Sequence, residues 1–89
     1  MSVIENPEEI DDFAHALSSF SGELRSSMSS MRGRFARLGE TWRDPAFARF
    51  SQEFEQTMRA LDQFLRDADD QTPRLRNRAE KLREVRNMH

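Results

Sequence analysis

Large apolar residues recur through the first half of the chain at Ile10, Phe13, Leu17, Phe20, Leu24, Met28, Met31, Phe35 and Leu38. Every step is three or four residues, which keeps these side chains on one face of an α-helix. The pattern predicts a helix over about residues 7–38. Its start is written locally. Asn6 can cap the first turn, Pro7 stands where a helix needs no N–H, and Glu8 and Glu9 lie at the positive end of the helix dipole. Leu38-Gly39 predicts its end, with Gly39 free to take a left-handed conformation.

Residues 39–44 (Gly-Glu-Thr-Trp-Arg-Asp) form the one convincing break. Asp44-Pro45 then repeats the logic of Asn6-Pro7, so a second helix is expected over about 45–88. Its apolar series is Phe47, Phe50, Phe54, Met58, Leu61, Leu65, Ala68, Leu75, Ala79, Leu82 and Val85, with Phe64 widening the stripe beside Leu65. Threes and fours hold throughout except for one gap of seven that spans Thr72. Pro73 removes the helical hydrogen bond to the Asp69 carbonyl and clashes there, at roughly 3 kcal/mol. A helix kinked or briefly interrupted near 70–73 is therefore expected, although the apolar phase runs through position 72 without slipping.

The predicted fold class is all-α: one domain over 1–89, an antiparallel hairpin of two long helices joined by a short turn that carries Trp42. Residues 7–38 span about 48 Å and residues 45–72 about 42 Å at the helical rise, so these lengths match. Residues 73–88 would project beyond the open end by up to about 24 Å. Two helices cannot cover two such stripes by themselves. The surface left over is of the size that marks an interface, and four helices would close it. The pairing face is assigned to Phe13, Phe20, Phe35, Phe50, Phe54 and Leu61. Gly22, Ser26, Ser29 and Gly33 form a row of small residues on roughly the opposite face of the first helix and read as a polar outer surface, with close approach of another helix as the alternative.

Composition sharpens this picture. Hydrophobic residues are 36% of 89 and charged residues 34%, too polar a balance for a lone compact fold of this size. No cysteine is present, which excludes disulfides, thiolate zinc sites and thiol catalysis. No apolar run approaches a membrane-spanning length, and no ordinary secretory signal precedes the first helix. The net charge of −2 argues against nucleic acid. Charge is segregated by position. Residues 1–12 carry Glu5, Glu8, Glu9, Asp11 and Asp12 with no base, whereas residues 71–89 carry Arg74, Arg76, Arg78, Lys81, Arg83 and Arg86 against Glu80 and Glu84. A hairpin makes these ends neighbours, so intramolecular or dimer-level complementarity is the expectation. A basic docking tail is the alternative.

Catalytic candidates are few. The histidines are His15 and the terminal His89. Asp11, Asp12 and His15 share helical spacing, yet the second motif and the further glutamates of a carboxylate-bridged di-metal site are missing. No phosphate-binding glycine loop or nucleophilic triad is present. The expectation is no enzyme, no cofactor and no metal.

A chain of this length, with two long helices and Trp42-Arg43-Asp44 between them, resembles the WXG family, the early-secreted-antigen-like substrates of type VII secretion. In that family a Trp-x-Gly turn joins antiparallel helices, and the hairpins pair as homo- or heterodimers in four-helix bundles. The resemblance makes Trp42 the turn tryptophan and puts Asp44 where the glycine belongs. Aspartate ahead of Pro45 can cap the second helix at least as well. Exported members usually carry a Tyr-x-x-x-Asp/Glu signal after the second helix, and this chain has no tyrosine. The resemblance implies a non-enzymatic protein that dimerises with itself or a paralogous hairpin. It would serve as a secretion substrate, chaperone or adaptor, with the secretion machinery as a further partner. Localisation would be cytoplasmic, or secreted without a cleaved signal peptide, with no stable membrane insertion. The alternative is a coiled-coil module of a larger assembly unrelated to secretion.

Overall fold

The structure, a computed structural model, describes residues 5–88. Helix α1 is Pro7–Thr41 (35 residues) and helix α2 is Ala46–Asn87 (42 residues), folded back on each other in a rod of 69 × 24 × 17 Å. Asn6 caps α1 as its sequence predicts: its side-chain oxygen accepts from the N–H groups of Glu8 and Glu9 at 3.0 and 3.3 Å. Pairing between the helices keeps heptad register. Arg32 meets Asp62, Arg25 meets Asp69 one heptad on, and Asp11 meets Arg83 two heptads beyond that.

The most buried positions of the seam follow one heptad row on α1 and, Ala68 apart, one on α2. On α1 the buried positions are Pro7, Ala14, Ser21 and Met28, spaced by seven. On α2 they are Met58, Leu65, Ala68 and Ala79. Met28, Met58 and Leu65 form a cluster against which Leu24, Phe54 and Leu61 pack. Towards the turn the seam becomes aromatic, with Phe35 stacked on Phe54 at 4.4 Å and on Phe47 at 5.5 Å. Towards the open end its buried residues are small, Ala14 and Ala79. Repeats of seven drift slowly around a straight α-helix, which is why such helices coil about each other.

Three expectations are corrected. Gly39 is not a left-handed cap: α1 continues through it to Thr41, and no described glycine has positive φ. A Cβ at Gly39 would sit 3.1 Å from Cζ of Phe47, so the glycine lets that ring approach the helix backbone. Trp42 ends the helix instead, in an extended conformation, while its N–H donates to the Leu38 carbonyl at 3.0 Å. Of the kink or brief interruption expected near 70–73, the interruption is absent, because α2 is helical from Ala46 to Asn87. Half-buried Thr72 fills the gap of seven, so burial on both sides of Pro73 holds the helix in phase, and the Thr72 hydroxyl donates to the Ala68 carbonyl at 2.8 Å. Finally, residues 73–88 do not overhang. Arg83 and Arg86 lie against Asp11 and Glu8, so this segment runs beside the start of α1.

Candidate protein-interaction surface

The two flanks of the seam differ in chemistry. Along one flank, the residues just outside the seam are charged and meet across it: Arg32–Asp62 at 3.0 Å, Arg25–Asp69 and Asp11–Arg83. The polarity inverts along the rod. Near the open end α1 brings the acid and α2 the base, and further in α1 brings the base and α2 the acid. Antiparallel alignment in this register satisfies each of these three pairs.

The other flank is aromatic. Phe13 and Phe20 on α1, and Phe50 and Phe64 on α2, occupy the same heptad position on their helices. They stay 60%, 52%, 39% and 40% exposed. Phe20 and Phe64 meet edge to face across the seam at 5.9 Å, a geometry that aligns the positive ring edge with the negative face. Met31, Leu38 and Val85 extend the exposed apolar band. The structure thus divides the six residues assigned to pairing. Phe13, Phe20 and Phe50 face outward. Phe35, Phe54 and Leu61 are half-buried in the hairpin's own seam. Phe64 and Val85 join the outward set. The signal for Phe64 was its seven-residue spacing through Thr57 to Phe50, the same spacing as Phe13 to Phe20.

The turn closes one end of this band. The Trp42 ring is half-buried, 5.2 Å from Phe47 and 5.5 Å from Phe50. Arg43 donates to the Glu40 carbonyl at 3.0 Å, placing a cation at the negative end of α1. Pro45 already has helical dihedrals, and Asp44 accepts from the Ala46 N–H through its side chain at 2.8 Å and from the Phe47 N–H through its carbonyl at 2.9 Å. Asp44 therefore does the capping work expected of it. The segregated terminal charges are paired inside the hairpin: Arg78 to Glu5 at 2.5 Å, Arg86 to Glu8 at 2.8 Å, and Arg83 to Asp11. The hydrogen bond from Arg86 is the main reason that the Glu8 carboxyl is held below its usual range. Asp11 is thus engaged with Arg83. Among the described residues, no three acidic or histidine side chains come together as a metal site, and His89 lies outside them. No helix among the described residues is long and apolar enough to cross a membrane.

Residues 4–85 match the family described as WXG100, proteins of 100 residues with WXG. The chain belongs to the WXG100 family. A relative, the uncharacterised protein YfjA of Bacillus subtilis strain 168, is 32% identical over 76 residues, covering 85% of this chain and 73% of YfjA. Among solved structures, the secreted protein EsxB of Bacillus anthracis strain Sterne is similar at 25% identity and a TM-score of 0.75, over 93% of this chain and 95% of EsxB. Selenomethionine-labelled EsxB aligns at 27% identity and a TM-score of 0.76, over 96% and 98%. The hairpin is thus the WXG100 fold, and Trp42-Arg43-Asp44 lies at the turn between its two helices.

Proposed function

We propose that this WXG100 hairpin pairs through its aromatic flank into a four-helix bundle and is exported in that folded form as a type VII secretion substrate. The observation that carries the reading is the exposed row of Phe13, Phe20, Phe50 and Phe64 alongside a seam that is already filled. An exposed row of aromatic rings on so thin a rod is a surface that association removes from water. The likeness to secreted EsxB supports export, and a partner hairpin is the source of an export signal that a chain without tyrosine does not carry. The role is one of binding and transport, without catalysis. The rival idea of a basic docking tail loses its main support, because three of that tail's arginines are paired to Glu5, Glu8 and Asp11.

The test has two arms. Light scattering should give a mass near twice the 10.5 kDa chain, falling to a single chain in Phe20→Asp with helicity retained. A protein that stays monomeric alone, but pairs with a second hairpin, would assign the flank to a heterodimer. An unchanged dimer in both Phe13→Asp and Phe20→Asp would remove the aromatic flank from the interface. For export, the chain should leave the cell only while the secretion ATPase is present, and retention regardless of the ATPase would refute substrate status.

A further inference from the structure

We propose that the open end of the hairpin is a salt-sensitive clasp that opens separately from the rest of the rod, with its pivot where Ser21 faces the turn of α2 between Ala68 and Pro73. Arg25–Asp69 on one flank, Phe20–Phe64 on the other and the Phe35–Phe54 stack within the seam together put Ser21 opposite Ala68, on the turn of α2 whose Asp69 carbonyl lacks a helical donor because of Pro73. Two defects coincide there. The Ser21 hydroxyl is buried, at 3% exposure of the residue, and has no hydrogen-bond partner. On the facing helix, Pro73 supplies no N–H to the Asp69 carbonyl, and the Thr72 hydroxyl is turned back onto Ala68. A buried hydroxyl without a partner and a helix short of one backbone bond each weaken the level they occupy.

The cohesion on either side of this level is of different kinds. On the turn side lie Met28, Met58 and Leu65, then the stack of Phe35, Phe47 and Phe54. On the open side the buried pair is Ala14 and Ala79, with Ile10, Leu17, Leu75 and Leu82 only half-covered. That end relies more on its three ion pairs within a short span, Arg78–Glu5, Arg83–Asp11 and Arg86–Glu8, whereas the two on the turn side, Arg25–Asp69 and Arg32–Asp62, flank a larger apolar core. Apolar burial is insensitive to moderate sodium chloride, whereas exposed ion pairs are screened by it. The two ends of one rod therefore answer differently to ionic strength. Opening about Pro73 frees the last turns of α2 and uncovers Leu75 and Leu82, next to the already exposed Val85.

Hydrogen exchange read by mass spectrometry on the full chain tests this. Between 0.05 and 1 M sodium chloride, the amides of 76–87 should lose protection by about threefold or more, while those of 47–68 hold theirs. The double variant Glu8→Gln/Asp11→Asn should show the high-salt pattern already at low salt. Pro73→Ala should raise the protection of 76–87 towards that of 47–68. Exchange of the two segments in step at both salt concentrations would overturn the clasp, and an unchanged profile in Pro73→Ala would overturn the pivot. These readouts are comparisons within one chain, so they stand whether or not the hairpins pair.

Discussion

Ser21 occupies a heptad position that its neighbours Ala14 and Met28 fill with apolar atoms, and its hydroxyl finds no partner. Replacing it with alanine removes an unsatisfied donor and improves helix propensity. Ser21→Ala should therefore stabilise by about 1 kcal/mol, seen in a thermal melt as a rise of about 4–8 °C. Glu8 makes a pH-dependent contribution whose sign follows from its pairing. Its carboxyl titrates below the ordinary value of 4.5 because Arg86 donates to it. That stabilisation is present above the unfolded value and is lost as pH falls through the folded one. Denaturation midpoints measured from neutral pH down to pH 3 should consequently fall less steeply in Glu8→Gln than in the unaltered chain.

At the scale of the helix, glycine has opposite uses in α1. A Cβ at Gly22 meets nothing within 4 Å, so Gly22→Ala gains helix propensity freely, about 1 kcal/mol. At Gly39 the same atom meets the Phe47 ring at 3.1 Å, and Phe47 is held by Phe35 and Trp42. Gly39→Ala should gain less than Gly22→Ala or lose stability outright, and parallel melts of the two variants distinguish the positions. The periodicity made both helices, their starts and the continuity of phase through Thr72 legible. It misplaced the end of α1, since a glycine near a helix terminus signals both a cap and a close approach, and only the partner ring shows which. The interruption allowed for at Pro73 does not occur, because the local cost of proline competes with apolar contacts on both sides that are not local.

As a whole molecule the hairpin has a filled seam, an ionic flank and an aromatic flank. If the aromatic flank associates, folding and pairing are linked by mass action. The thermal midpoint should then rise with protein concentration in the unaltered chain and be independent of it in Phe13→Asp/Phe20→Asp, checked by melts across a hundredfold range of concentration.

Sequence by itself determined the two helices, the capping of both by Asn6 and Asp44, the turn at Trp42 and the meeting of acidic and basic ends. Each of these rests on residues a few positions apart, or on charge segregated plainly along the chain. The tertiary structure decided which stripe residues were spent inside the hairpin. Phe35, Phe54 and Leu61 look like Phe13, Phe20 and Phe50 in a helical pattern, because a stripe wide enough to face two neighbours does not say which side each neighbour takes. The answer depends on the register in which Arg25 finds Asp69 and Arg32 finds Asp62 across the seam. Those pairs are separated by some forty and thirty positions of chain, and only folding brings them together.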